Sequence, residues 1–83
     1  MPDSTIRIRV RPYADLGRFF PGEGKIRSIE VPTRCTVGEF LARHGVPADE
    51  PLTIGINDRL AGRDSVLSEG DVVDVVAPMT GGT

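Results

Sequence analysis

Residues 67–77 read Leu-Ser-Glu-Gly-Asp-Val-Val-Asp-Val-Val-Ala, and this stretch decides the fold. Its first part, residues 68–71, is a turn signal with a glycine at the position that favours positive φ. In the strand that follows, from Val72 to Ala77, valines occupy both faces and only Asp74 is charged. A strand that is apolar on nearly both faces normally lies in the middle of its sheet, or it carries an exposed patch for a partner. We therefore predict a central last strand.

The chain continues beyond this strand as Pro-Met-Thr-Gly-Gly-Thr over residues 78–83. Pro78 ends ladder pairing because proline has no backbone N–H. Gly81 and Gly82 have no side chains that pack, and they lose the most entropy on ordering. We predict that residues 79–83 form a flexible tail, thin enough to enter a narrow tunnel in a partner.

Length and composition limit the classes of protein to which this chain can belong. With 83 residues, 39% hydrophobic and 27% charged, the chain has room for one domain and is not typical of disorder. We place this domain at residues 1–78. The apolar stretch at residues 72–78 is far shorter than the about 20 residues that a membrane helix needs. Residues 1–5 lack a secretory signal pattern.

Cysteine content and charge exclude several further classes. Cys35 is the only cysteine, which excludes an internal disulfide and any site of four cysteines for zinc or iron–sulfur clusters. We expect no cofactor, no metal and a cytoplasmic location. The net charge is −2 and the aromatic residues are one tyrosine and three phenylalanines. A nucleic-acid partner is therefore not expected, because such binders are usually basic and rich in stacking aromatics.

The chain begins with an alternating strand. Residues 6–11 have one apolar and one basic face, made by Ile6, Ile8 and Val10 and by Arg7, Arg9 and Arg11. This alternation is typical of a half-buried strand. The arginine row is either a solvated outer face, which we favour, or a docking surface for an acidic partner.

A long connection, residues 12–24, precedes the second strand. Leu16, Phe19 and Phe20 have helical spacing and predict a short turn packed against the core. Residues 25–31 then resume strand character, and we predict that they pair with the first strand as a hairpin.

The helix signal begins at Thr36. Thr36 and Glu39 fit a capping box, and Gly45 fits the left-handed residue that ends a helix. The buried face is given by helical spacing at Val37, Phe40, Leu41 and His44. These features predict one helix of about eight or nine residues. For His44 and Cys35 we favour structural roles, because no catalytic partner side chain is indicated near either one.

The remaining elements complete the pattern. Residues 52–56 alternate and predict a third strand, and Asn57-Asp58 predicts a tight turn into a short return strand at Arg59 and Leu60. The order is therefore strand, strand, helix, strand, short strand, strand. This order predicts an α+β fold, a ubiquitin-like β-grasp, with a mixed sheet of four to five strands clasping one main helix.

Five short segments in this order resemble the MoaD/ThiS family of small ubiquitin-like sulfur-carrier proteins, over nearly the whole length. They are Thr-Val-Gly-Glu-Phe-Leu at 36–41, Gly-Val-Pro at 45–47, Ile-Asn-Asp at 56–58, Leu-Ser-Glu-Gly-Asp at 67–71 and Gly-Gly at 81–82. The chain departs from the family pattern twice. Asp58 replaces a glycine that is common at that turn, and Thr83 follows the glycine pair that should end the chain.

The resemblance implies a function for the tail. The carboxylate of Gly82 would attack the α-phosphate of ATP inside a ubiquitin-activating-enzyme-like (MoeB/ThiF-like) adenylyltransferase, with Gly81 allowing the tail to thread the channel. The resulting adenylate would become a thiocarboxylate, which donates sulfur to a synthase subunit in molybdopterin, tungstopterin or thiamine-like biosynthesis. The chain is then a carrier and a cosubstrate, not an enzyme. ATP, metal and catalytic groups belong to the partner.

Thr83 leaves Gly82 with an amide instead of a carboxylate, and three explanations compete. We favour removal of Thr83 by a tail-trimming peptidase. The second explanation is that the chain no longer carries sulfur and acts as a binding subunit or regulator; the alternative function that we keep open is a non-carrier ubiquitin-like interaction module or protein modifier. The third is activation at Thr83 itself, whose branched side chain is stiff for such a channel.

The partner-docking surface is predicted on the sheet face beside the tail. We place Val72 and Val76 pointing outward on this face, and Pro78 and Met79 at the base of the tail. Arg59 and Arg63 are predicted to steer an acidic partner.

Overall fold

The computed structural model describes residues 4–77. The strands are β1 (Thr5–Pro12), β2 (Arg27–Pro32), β3 (Thr53–Ile56), β4 (Arg59–Ala61) and β5 (Val72–Val76). A 3₁₀ segment (Ala14–Phe19) follows β1, and one α-helix, α1 (Val37–Arg43), follows β2. The predicted architecture of a mixed sheet with one main helix is confirmed.

The five strands form one sheet in the order β2-β1-β5-β3-β4. β1 pairs antiparallel with β2 and parallel with β5, so the predicted hairpin is confirmed. β5 also pairs antiparallel with β3, which places the valine-rich strand in the centre, as predicted. The strand ends at Val76, one residue before the predicted end, and Ala77 is exposed.

The helix begins and ends where its capping residues predict. The Thr36 side chain accepts a hydrogen bond from the Glu39 N–H while the Glu39 carboxylate accepts one from the Thr36 N–H, a complete capping box. Gly45 has a φ of 82°. Its N–H donates to the Ala42 carbonyl and the Val46 N–H donates to the Leu41 carbonyl, which is a Schellman motif. This stop leaves a helix of seven residues, slightly shorter than predicted.

The start of α1 is also held by the loop that follows β4. The N–H of Gly38 donates to the carbonyl of Arg63 at 2.7 Å, and the N–H of Val37 donates to the carbonyl of Ser65 at 2.9 Å. A Cβ atom on Gly38 would lie 3.2 Å from the Arg63 oxygen. Glycine at position 38 therefore allows the close approach of these two backbones.

The inner face of the sheet and α1 enclose one apolar core. Within the described residues no charged or polar side chain is buried in it. Its members are Ile8, Val10, Leu16, Phe20, Ile29, Val31, Cys35, Val37, Phe40, Leu41, Val46, Ile54, Leu67, Val73 and Val75. Leu16 and Phe20 come from the long connection, whose predicted packing against the core is confirmed. Phe20 stacks on Phe40 of the helix, with ring centroids 5.4 Å apart.

Arg27 fixes the path of that connection. Its guanidinium donates to the carbonyl oxygens of Gly17 at 2.6 Å, Phe20 at 2.9 Å and Gly24 at 3.1 Å. These bonds replace the regular backbone pairing that an irregular loop lacks.

The hairpin between β3 and β4 turns at Asn57 and Asp58, as predicted. Their φ values are 53° and 69°, both in the left-handed region. A two-residue hairpin with positive φ at both positions matches the right-handed twist of its strands. In the described part of the chain, no helix is long and apolar enough to cross a bilayer.

Candidate functional site

The end of β5 is the point from which the tail leaves the sheet. Val76 pairs with Thr53 of β3, and Val75 pairs with Pro12 of β1. Just beyond β1, the Tyr13 N–H donates to the Val75 carbonyl at 3.0 Å. Because β5 is bonded on both sides up to its last residues, the origin of the tail is fixed relative to the sheet. The predictions for Pro78, Met79, Gly81 and Gly82 lie outside the described residues.

Side chains of β5 divide between the two faces of the sheet. Val73 and Val75 are fully buried on the inner face. Val72 and Val76 lie on the outer face, as predicted, and both are half-buried. Their expected contact with a partner stays a prediction.

An ion pair separates these two valines on the outer face. Arg11 Nε lies 2.5 Å from Asp74 Oδ1, and Arg11 Nη2 lies 2.9 Å from Asp74 Oδ2, a bidentate arrangement. The hydrogen bonds and negative charge of Asp74 raise the pKa of the Arg11 guanidinium above its ordinary value. Asp58 adds a longer contact, 3.7 Å from Arg11 Nη2. The outer face of β5 is therefore not a continuous apolar patch.

The arginine row of β1 is accordingly not uniform. Arg7 and Arg9 are exposed, which fits the solvated outer face that the alternation favoured. Arg11 is instead half-buried against Asp74. This pair was missed because its formation depends on the parallel register between β1 and β5, which residue patterns do not specify.

Arg59 and Arg63 occupy different environments. Arg59 is exposed on the edge strand β4. Arg63 is half-buried, and its Nη2 donates to the Glu50 carbonyl at 2.6 Å. Because the Arg63 carbonyl also accepts from Gly38, this residue is tied to the start of the helix. The structure does not bring Arg63 together with Val72 and Val76, and its steering role stays a prediction.

Leu60 is an outer-face residue that the sequence reasoning did not single out. It pairs with Gly55 of β3, and its residue surface is 84% exposed. Gly55, Leu60 and Val76 line part of a shallow groove of about 260 Å³. The sequence contains the information that predicts this exposure. A two-residue turn at residues 57–58 pairs Leu60 with Gly55, which has no side chain to cover it.

His44 and Cys35 are the two side chains with catalytic chemistry that the sequence raised. His44 Nδ1 lies 3.0 Å from the Phe40 carbonyl, and its ring packs 4.9 Å from that of Phe40 and 5.4 Å from that of Phe20. Cys35 is buried, and desolvation raises the pKa of its thiol. Both arrangements fit the structural roles that we favoured.

Residues 4–77 show no group of three or more His, Cys, Asp or Glu side chains placed to hold a metal ion. Around the end of β5, the outer face of the sheet carries an ion pair, half-buried valines and an exposed leucine.

The chain matches the model of the ThiS family over residues 17–82. No curated protein matches the chain.

Solved structures with the same fold include three ubiquitin-like proteins. SAMP1 from Haloferax volcanii is 22% identical, with a TM-score of 0.66 over 92% of this chain and 99% of that one. A ubiquitin from Caldiarchaeum subterraneum is 19% identical, with a TM-score of 0.57 over 95% and 100%. A chain in the complex of subunits 1 and 2 of the molybdopterin-converting factor from Helicobacter pylori 26695 is 20% identical, with a TM-score of 0.57 over 93% and 100%. These similarities confirm the ubiquitin-like β-grasp fold.

Proposed function

Because this chain belongs to the ThiS family, we propose that it is a small sulfur-carrier protein whose reactive end is Gly82. Proteins of this family are carriers rather than enzymes. In this role the chain is a cosubstrate, which brings one carboxylate to the active sites of its partners.

The observation that carries the proposal is that β5, the last strand before the tail, lies in the centre of the sheet. The family match extends to residue 82 and stops before Thr83. Residues 77–82 separate the end of β5 from the carbonyl of Gly82, a reach of about 20 Å when fully extended. A carboxylate on such a thin tether enters a deep active site while the folded domain stays outside.

The proposed chemistry begins with the Gly82 carboxylate, which is ionised at neutral pH because its pKa is about 3.5. One carboxylate oxygen attacks the α-phosphate of ATP, pyrophosphate leaves, and an acyl adenylate forms. A sulfur-transfer enzyme then supplies hydrosulfide, which attacks the acyl carbon; the bond from that carbon to the AMP oxygen breaks and AMP leaves, which gives a thiocarboxylate. The partner adenylyltransferase supplies the catalytic groups for the first step.

The sulfur acceptor is proposed to be a synthase subunit. One similar structure is a complex between two subunits of a molybdopterin-converting factor. That complex supports the idea that a fold of this kind docks on a second subunit. The proposed pathway is the synthesis of molybdopterin, tungstopterin or a thiamine-like cofactor.

Thr83 must leave before Gly82 has a carboxylate, so the proposal includes a trimming peptidase. Without trimming, Gly82 has an amide oxygen, which is a far weaker nucleophile than a carboxylate. Activation of Thr83 itself is less favoured, because its β-branched side chain is larger and stiffer than glycine.

Intact mass spectrometry tests this proposal with two chains, one ending at Gly82 and one at Thr83. Each is incubated with a ThiF-like adenylyltransferase, ATP and a sulfur source. The chain ending at Gly82 is expected to gain the mass difference between sulfur and oxygen, whereas the chain ending at Thr83 stays unchanged. No gain in the shorter chain would reject the carrier function, and a gain in the longer chain would reject trimming.

A protein modifier or non-carrier interaction module is the second candidate, favoured by the similarity to SAMP1 from Haloferax volcanii, a small archaeal modifier protein. In a modifier, the activated carboxyl of Gly82 would form an isopeptide bond with a lysine of another protein. The same incubation, supplemented with candidate acceptor proteins, separates the two functions. A modifier gives covalent conjugates that resist reducing agents, whereas a carrier gives the free thiocarboxylate.

A further inference from the structure

A groove lies beside the point where the tail leaves the sheet. It has a volume of about 540 Å³ and is lined by Arg11, Pro12, Tyr13, Lys25 and Ile26; we call it the Tyr13 groove. Tyr13 is 46% exposed and Ile26 is 54% exposed. They are two of the four large apolar residues exposed in the described part of the chain. Exposed large apolar residues that share one groove are typical of a binding surface.

The charged side chains that line the Tyr13 groove are both cationic. Lys25 has no acidic partner within ion-pair distance among residues 4–77. Arg11 is held in place by Asp74 through Nε and Nη2, and no described residue bonds to its Nη1. The groove therefore combines an apolar floor with one unbalanced positive charge and fixed N–H donors. A carboxylate beside an apolar side chain is the complementary ligand.

The position of the groove relates it to the tail. Tyr13 bonds to the Val75 carbonyl, one residue before the end of β5. A partner that holds Gly82 in its active site lies within about 25 Å of this point, the extended length of the seven residues 76–82. The groove is therefore within reach of the surface around the mouth of the partner's channel.

We propose that the Tyr13 groove docks a surface segment of the activating adenylyltransferase in which a carboxylate lies next to an apolar side chain. The proposal rests on the carrier function proposed above. Tyr13 and Ile26 supply buried apolar contact area, and Tyr has few rotatable bonds to immobilise. Lys25 and Arg11 Nη1 bind the carboxylate. The groove thus selects the partner, while the tail supplies the reacting group.

Enzyme kinetics test the proposal with two groove variants, Lys25→Glu and Tyr13→Ala, in the chain ending at Gly82. Arg34→Glu is the matched control for Lys25→Glu, because it makes the same change in charge. Arg34 is exposed in the turn after β2, and that end of β2 pairs with the start of β1, whereas the groove adjoins the end of β1. Thermal unfolding checks that each variant is folded. Lys25→Glu keeps the test valid if Tyr13→Ala unfolds, because Lys25 is exposed and has no described ion-pair partner.

Chain-dependent exchange of pyrophosphate into ATP is measured with the adenylyltransferase. Each groove variant is expected to raise the KM for the chain about tenfold with kcat unchanged, since a central interface residue commonly contributes that factor to affinity. Arg34→Glu is expected to leave KM within about twofold, the effect of a distant charge at physiological salt. Equal KM values for Lys25→Glu, Arg34→Glu and the unaltered chain would overturn the groove proposal alone. No exchange with the unaltered chain would instead contradict the carrier function, and the groove proposal with it.

Zero-length crosslinking gives a second, direct measurement. A carbodiimide joins a carboxylate to an amine, and Lys25 is the only lysine in the sequence. In the complex, we expect a crosslink between Lys25 and an Asp or Glu of the adenylyltransferase, identified by mass spectrometry. Crosslinks only at the N-terminal amine, or a crosslink from Lys25 to a second copy of the chain, would contradict the proposal.

Discussion

On the inner face of the sheet, the neighbouring strands β1 and β5 bury Ile8, Val10, Val73 and Val75 completely, whereas on the outer face the same strands carry the Arg11–Asp74 ion pair. Burial of one such aliphatic side chain contributes about 1.5–3 kcal/mol. A partly exposed ion pair contributes about 0–1 kcal/mol. The stability of the fold therefore depends mainly on the inner face of the sheet.

The largest loss in the free energy of unfolding is expected for a substitution where the inner face of the sheet packs against α1. Phe40 is fully buried and stacks on Phe20, so Phe40→Ala is expected to lower the free energy of unfolding by about 3–5 kcal/mol. Leu60→Ala, on the outer face at 84% exposure, is expected to change it by less than about 0.5 kcal/mol. Urea denaturation measures both, and similar losses for the two variants would contradict the division between the faces.

A smaller effect is expected at the edge of the core, where a polar side chain holds an apolar segment in place. Arg27→Met keeps the aliphatic stem but removes the guanidinium donor, so the Phe20 carbonyl loses its hydrogen bond and the Gly17 carbonyl keeps only the one from the Phe20 N–H. The expected loss is about 1–3 kcal/mol, the cost of leaving a partly buried polar group without its partner. Amide hydrogen exchange at Phe20, whose N–H bonds to Gly17, is expected to become faster.

Arg18→Met is the control for this prediction. Arg18 also donates to a backbone carbonyl, that of Asp15, but its partner is three residues away and exposed. Its removal is expected to cost less than about 0.5 kcal/mol. Equal effects of Arg18→Met and Arg27→Met would show that Arg27 does not organise the connection.

The smallest loss in the free energy of unfolding is expected for a substitution on the outer face of the sheet. Asp74→Asn removes the charge that pairs with Arg11, and we expect a loss of about 0.5–1 kcal/mol in the free energy of unfolding. The difference should shrink at high salt, because both side chains are partly exposed. Glu30→Gln serves as control, since the Arg7–Glu30 contact is longer, at 3.6 Å, and more exposed. A loss above about 2 kcal/mol at Asp74 would show that the outer face carries fold stability.

The sequence predicts the inner face and its connections well, because local chemistry determines them. The capping box at Thr36, the left-handed Gly45 and the turn at residues 57–58 each specify their backbone without distant contacts. The central place of β5 followed from valines on both of its faces. In each case, the residue type and the required conformation are linked by a short-range physical cause.

The outer face is less predictable, because its properties depend on register between distant strands. Arg11 and Asp74 are 63 residues apart, and only the parallel pairing of β1 with β5 brings them together. The same holds for the Tyr13 groove, which joins side chains from both ends of a long connection. The bond of Arg63 to the Glu50 carbonyl, in the loop before β3, is a further contact that residue patterns do not specify.

The proposal that this chain carries sulfur on Gly82 is tested most directly by locating the sulfur within the chain. After incubation of the chain ending at Gly82 with a ThiF-like adenylyltransferase, ATP and a sulfur source, trypsin releases the C-terminal peptide beginning at Asp64, since Arg63 is the last basic residue. Fragmentation of this peptide is predicted to show sulfur in place of oxygen at the Gly82 carboxyl. An unmodified C-terminal peptide, or added sulfur found only on the peptide that contains Cys35, would contradict the account.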